Sequence, residues 1–252
     1  AQMGSITGQA GVTIELETRV DIGEFRYTDE GSLSIKDISI GGANTTGLFS
    51  EITDFRDALG LDATTNLIDN IAIEIDVAAD GDAIINVLPL TAAPIDFGVS
   101  TGEWTLEGHT DSTLLASNFN MVGAFTKVGI TVDTATDRLN LNTKVGISDL
   151  DVDIDFLGLG IRDLKMTGAD YMGTKLDGTA AAPSVLTLGA TIDMDVYKAT
   201  RLGGSGDALA IDLNTFAADM SIGEVLVGGA NIGSVMLDNL VVQDTTMRIY
   251  GH

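Results

Sequence analysis

Over most of its length the chain alternates apolar and polar side chains with period two, the pattern of extended strands. Near the start Ile14, Leu16, Val20 and Ile22 share one side, and Glu15, Glu17, Arg19 and Asp21 share the other. The alternation returns in SLSIKDISI (Leu33, Ile35, Ile38, Ile40), IAIEIDV (Ile71, Ile73, Ile75, Val77) and LDVDIDF (Leu150, Val152, Ile154, Phe156). Later copies are TIDMDV around Met194, LAIDL around Ile211, and MRIY near the end. Turn residues part them at 29–31, 79–82, 203–207 and 227–231. Glycine, with 30 residues against 3 prolines, supplies most of the interruptions, while Pro89 and Pro94 bracket an edge or crossover segment.

These segments allow strands of roughly 7–12 residues, longer than the rungs of a narrow β-helix. The expected fold is mainly β: a single domain over residues 1–252 whose long antiparallel strands form a rolled sheet or β-sandwich. A β-helix or solenoid is the alternative. One or two short helices interrupt the pattern. In TGLFSEITDFRDALGLD the residues Leu48, Ile52, Phe55 and Leu59 fall at helical spacing, with Thr46 or Ser50 to cap the start and Gly60 to end it. DSTLLASNF, residues 111–119, is a second helical candidate. The segments 34–44 and 220–231 both close on Gly-Gly-Ala-Asn, which the same turn chemistry used twice would explain.

Composition narrows the partners. Asp and Glu number 37 against 13 Lys and Arg, a net charge of −24, so neither nucleic acid nor an anionic membrane surface is expected to bind. Apolar residues still make up 44%, enough for a core; aromatics are only 5%, which leaves Ile, Leu, Val and Met to fill it. Without cysteine there are no disulfides, thiol nucleophiles or zinc–thiolate sites. No apolar run reaches the roughly 18 residues of a membrane-crossing helix. The chain begins Ala1-Gln2, as signal-peptidase cleavage after a small residue would leave it, so export to the cell surface or medium is expected.

Catalytic motifs are absent from the sequence. His109 sits in the turn-like EGHTDS, and the other histidine, His252, is the last residue. No G-x-S-x-G elbow, Walker loop or dinucleotide fingerprint occurs, and no enzymatic activity is expected. Paired acids are frequent. Asp151, Asp153 and Asp155 alternate along one strand, which places them on one solvated face opposite the apolar residues. The sharper use of such carboxylates, together with Asp80 and Asp82 of the ADGD turn, is calcium binding through hard oxygen ligands. GGSGDALAID departs from the calcium-binding nonapeptide repeat, since Asp207 comes one residue early and the motif does not recur; it reads as a loop.

The stretch ITGQAGVTIELE (6–17), followed by YTDEGSLSIKDISIGG (27–42), resembles the N-terminal signature of a family of bacterial secreted proteins. Its members are assigned to pilus systems of the FilA type, or known only as a domain of unknown function. The matching features are the TGQAG turn, the alternating strand after it and the acidic turn before a second strand; beyond Asn44 only the general style is shared. The resemblance implies an exported surface protein, a component of an assembled fibre, and brings no catalytic residues.

The first expectation is therefore a non-enzymatic subunit of an extracellular filament, pilus or surface assembly, motivated by the opening strand together with the alternating, glycine-ended C-terminal segment LDNLVVQDTTMRIYGH. Residues 1–23 would be its assembly strand, with Ile14, Leu16, Val20 and Ile22 filling pockets of a neighbour's sheet. Head-to-tail addition of this kind makes an open homopolymer. The counter-expectation is that the strand pairs within its own sheet and the protein is a monomer. A second class of function is a binding module holding an apolar ligand or lipid in a rolled sheet. A third is a secreted hydrolase using acidic pairs, which the solvated placing of those acids disfavours.

Overall fold

A computed structural model describes residues 11–52, 64–175 and 177–251 of the protein. Its strands in chain order are β1 (Val12–Thr18), β2 (Val20–Thr28), β3 (Ser32–Gly41), β4 (Ile68–Val77), β5 (Ala83–Pro89), β6 (Ile95–Thr101) and β7 (Trp104–Glu107). They continue with β8 (Ser112–Asp133), β9 (Arg138–Ile154), β10 (Leu159–Thr167), β11 (Ala190–Thr200), β12 (Asp207–Val227) and β13 (Ala230–Ile249). All lie in one 13-stranded sheet, and their pairings are antiparallel, so the fold is mainly β and no β-helix.

Pairing reduces the thirteen segments to eight collinear rows. They are β1 with β2, β4 with β3, β5 with β6 and β7, β8, β9, β11 with β10, β12, and β13. Each row follows the last along the chain and runs back beside it, so the sheet is a meander of neighbours with short links. Rows two, three and six are interrupted at mid-length, where the chain leaves the sheet after Gly41, Pro89 and Thr167 and returns at Ile68, Ile95 and Ala190.

Opposed residues of an antiparallel pair share a face, so ladders of partners show what each face carries. One ladder crosses all eight rows as Val12, Ile75, Ile85, Ile130, Leu141, Met194, Leu213 and Thr245. The ladder one residue away crosses them as Thr13, Glu74, Asn86, Gly129, Asn142, Asp193, Thr215 and Gln243. The alternation in the sequence thus becomes one apolar face and one polar face. Ring contacts Phe97–Phe125 and Trp104–Phe119, each 6.2 Å between centroids, lie on the apolar face. Its aliphatic side chains, such as Ile130, Leu141 and Met194, are half-buried.

The faces survive several breaks in the alternation. Ile68-x-Asn70-Ile71, Ile35-x-Asp37-Ile38, Ile161-x-Asp163-Leu164 and Leu237-x-Asn239-Leu240 each carry one extra residue between apolar positions. In each the Asn or Asp has a positive φ, between 50° and 61°. Short polar side chains tolerate this left-handed conformation, and the step returns the next apolar residue to its own face. At Asn70 and Asn239 it comes with a shift in register, as in a β-bulge, whereas the pairings across Asp37 and Asp163 stay in register.

The buried cluster sits at mid-length on the polar face. There Ala124 of β8 opposes Gly146 of β9, and the excursions that follow β3 and β10 pack onto these small residues. Leu48, Phe49 and Ile52 come from the first excursion, Tyr171 and Leu188 from the second, and Phe49 meets Tyr171 edge to face at 6.4 Å. A Cβ on Gly146 would lie 2.6 Å from the Leu188 carbonyl oxygen and 2.9 Å from the Phe49 ring, so only glycine leaves the room. The backbone N–H groups of Tyr171, Met172 and Asn239 donate to the fully buried Asp219 at 3.1, 2.7 and 2.8 Å, tying the second excursion to rows seven and eight.

Three expectations change. Residues 111–119 are not a helix, because Ser112 already begins β8, whose Leu114 and Phe119 are placed by pairing with β7 and β6. Residues 48–51 form a turn, while Phe55, Leu59 and Gly60 of that expected helix lie outside the described residues. Gly-Gly-Ala-Asn plays two roles: Gly228 and Gly229, at φ 57° and 81°, make the two-residue link from β12 to β13, whereas Gly42 and Ala43 lead out of the sheet.

Candidate functional site

The expected assembly strand lies in its own sheet. Ile14 and Leu16 oppose Ile73 and Ile71 of β4, and Val20 and Ile22 oppose Ile40 and Ile38 of β3. The step between the two partners is held at Arg19, which donates to Asp21 at 3.0 Å. Among the described residues β1 pairs with β4 alone and β2 with β3 alone, leaving the outer edge of the first row open. Val12, Ile14, Val20 and Phe25 remain 55, 43, 43 and 51% exposed. The opposite edge is open in the same way. Of the described strands only β12 pairs with β13, and its Ile232, Met247 and Ile249 are 65, 52 and 50% exposed. The C-terminal edge is as prominent as the N-terminal one, and the alternation in LDNLVVQDTTMRIY was its signal.

On the polar face the acidic pairs are largely spoken for. Asp193 accepts from Asn140, Asn142 and Asn214 at 2.8, 3.3 and 3.2 Å. Asp212 accepts from Tyr197 Oη at 2.6 Å, Arg248 at 2.8 Å and Thr246 at 3.0 Å. The Arg248 guanidinium, then the Tyr197 hydroxyl, pull the Asp212 carboxyl down to about 2. These groups link rows five to eight and leave no free base or nucleophile among themselves. His109 is exposed in the link between β7 and β8.

The candidate calcium ligands scatter. Asp82 accepts from the Thr134 N–H and hydroxyl, both at 2.9 Å, and Asp80 from the Asp82 N–H at 3.3 Å, so this pair builds two row-end turns. Asp155 is not on the strand face: β9 ends at Ile154, and Asp155 opens the 3-10 turn Asp155–Leu157 and accepts from Ser117 at 2.7 Å. Asp153 is bound by Asn118 and Arg162, both at 2.6 Å, which hold its carboxyl below the usual range.

Asp151 alone of the five joins a cluster, with two residues not singled out in the sequence. Its carboxylate, that of Asp149 and that of Asp163 each place an oxygen within 4.8 Å of the others. Asp149 continues the D-x-D alternation one pleat earlier and was legible; Asp163 arrives only through the pairing of β9 with β10. Burial, then the charges of Asp151 and Asp163, raise the Asp149 carboxyl above its ordinary value. Asp149 Oδ1 has no hydrogen-bond partner among the described residues. The cluster borders a hollow of about 570 Å³ that also holds Ser50, Ser148, Lys165 and Ser221. Three hard oxygen donors in such a setting are chemically suited to a divalent cation. A second hollow, about 790 Å³ beside Tyr27, Leu33 and Leu106, is likewise mixed in character.

No helix among the described residues is long and apolar enough to cross a membrane. A profile described as a family of unknown function (DUF6160) matches residues 1–79, which include the first two rows of the sheet. No curated protein and no solved structure matches the chain.

Proposed function

We propose that this protein is a non-catalytic structural subunit of an extracellular bacterial filament, pilus or surface assembly, whose copies join by β-strand addition. The observation that carries the proposal is the open first row. Its β1 and β2, of 7 and 9 residues, present unpaired main chain and a line of exposed apolar side chains among the described residues. A row of unpaired N–H and C=O groups is a template for another strand. Because Ile14, Leu16, Val20 and Ile22 already oppose their own sheet, addition proceeds at the outer edge of this row.

The acidic, cysteine-free composition agrees with export, and the hydrogen-bonded acids of the polar face agree with a scaffold rather than a catalyst. Carriage of an apolar ligand is the lesser proposal, because the hollow beside Asp149 lies on the polar face and the one beside Tyr27, though it takes in Leu33 and Leu106 of the apolar face, is also lined by Asp29, Glu30 and Glu107.

Negative-stain imaging and light scattering of purified protein test the proposal. Intact protein is expected to form fibres or concentration-dependent oligomers, and protein lacking residues 1–22 to remain dispersed. Unchanged polymerisation after that deletion would rule out addition through this strand.

A further inference from the structure

We infer that the partner of the first row is the last row of a second copy: the outer edge of β13 pairs antiparallel with the outer edge of β1 and β2. This rests on the self-association proposed above and names its two surfaces.

Row parity is the first support. Eight antiparallel rows leave β13 running opposite to β1 and β2. A translated copy placed edge to edge therefore continues the antiparallel alternation without being turned over. Its apolar face stays on the side of the first copy's apolar face, and its polar face on the other.

Ladder continuity is the second. The polar ladder that begins at Thr13 ends at Gln243, and the apolar one that begins at Ile14 runs through Ile73, Val87, Val128, Thr143, Ile192 and Phe216 to Val242. Continuing both into the next copy sets Gln243 beside its Thr13 and Val242 beside its Ile14. The edges also match in length, 7 and 9 residues in β1 and β2 against 20 in β13.

Edge chemistry is the third. Neither edge contains a lysine or proline, the residues that commonly blunt exposed strands. Pairing the first row with itself would bring Glu15, Glu17, Asp21 and Glu24 against their own kind, with only Arg19 and Arg26 to offset them. β13 carries fewer charges, Asp238, Asp244 and Arg248, so joining unlike edges meets less repulsion. Contact between unlike edges leaves one of each open at the ends, which gives an open chain rather than a closed dimer.

The native chain has no cysteine, so engineered thiols report the pairing cleanly. Thr13→Cys and Gln243→Cys, both at exposed positions, are made singly and together. Thermal melts identical to the parent establish that each variant folds. Under mild oxidation the double variant is expected to give a ladder of covalent multimers. The mixed single variants should give dimers, and each single variant alone should remain a monomer on a denaturing gel. Ser234→Cys, in the other half of β13, should replace Gln243→Cys only poorly. Oligomers by light scattering that yield no Thr13–Gln243 cross-link, or link like edges in a single variant, overturn this pairing and leave self-association standing. Protein that is monomeric by light scattering at the same concentrations overturns the self-association itself.

Discussion

Asp37 shows how much of this sheet is decided by single residues. It holds φ at +50° in the middle of β3, between the apolar pairs Leu33, Ile35 and Ile38, Ile40. Without that left-handed step, one half of the strand would turn its isoleucines to the polar face. Glycine adopts the conformation freely and a β-branched residue resists it. Asp37→Gly is expected to leave stability nearly unchanged, while Asp37→Val costs about 1–2 kcal/mol by urea unfolding. Equal effects of the two would mean that the left-handed backbone is not what matters there. Left-handed steps of this kind are legible as a skipped beat in SLSIKDISI. Their backbone is not, because periodicity records which side chains share a face and not how the chain gets them there.

Asp212 carries the pH dependence at the same scale. With the folded carboxyl pulled down to about 2 by Arg248 and Tyr197, and an unfolded value near the ordinary ~3.9, folding favours the ionised form. That stability is fully present above about pH 4 and disappears as pH falls through about 2. Solvent reaches the pair, with 22% of the Asp212 side chain exposed, so about 1 kcal/mol is a fair size for it. Asp212→Asn should therefore be less stable than the parent at pH 6 and nearly equal to it at pH 2. A deficit that persists unchanged at pH 2 would assign the loss to packing instead.

At the scale of elements, the excursions matter as much as the strands. Strand periodicity located strand segments and glycine-rich turns marked several of their ends, because both signals are local. The expected length of roughly 7–12 residues fell short of β8, β9, β12 and β13, which run 22, 17, 21 and 20 residues. The helical reading of DSTLLASNF failed because Leu114 and Phe119 are placed by cross-strand partners, with register shifts at Leu115 and around Asn118, which no local spacing encodes. The acidic cluster failed in the same way at Asp163, a residue brought to Asp149 and Asp151 by register alone. Nor did the sequence mark Gly146 as the floor of the buried cluster. Gly146→Ala forces its Cβ against the Leu188 carbonyl and the Phe49 ring and should cost about 1–3 kcal/mol. Phe49→Ala removes a fully buried ring and should cost about 3–5 kcal/mol. Both are measured by the shift in urea midpoint. If Gly146→Ala is neutral, the excursion is not seated on β9 as described.

For the whole molecule the governing quantity is charge. Each copy carries −24, and edge pairing brings such copies to strand spacing, so long-range repulsion opposes every addition while the apolar edges favour it. Screening length falls from about 10 Å at 0.1 M salt to about 3 Å at 1 M, so repulsion between subunits should fade over that range. Assembly followed by light scattering is thus expected to rise with sodium chloride. A fall would mean that salt bridges, not apolar strand edges, hold the copies together. Calcium adds a sharper comparison. At matched ionic strength, screening alone would make calcium and sodium differ little in their effect on thermal stability. An ion seated by Asp149, Asp151 and Asp163 would instead raise the melting temperature with calcium concentration, because it binds only the folded chain. Asp149→Asn separates the two effects. Removing one half-buried, mutually repelled carboxylate should stabilise the calcium-free protein above the ordinary carboxylate pKa, since the raised value means that folding penalises its ionised form. The same change should abolish the specific calcium response while leaving salt-driven assembly intact. A calcium response that survives Asp149→Asn would place the ion elsewhere, and its loss together with assembly would make the cluster part of the joint between copies.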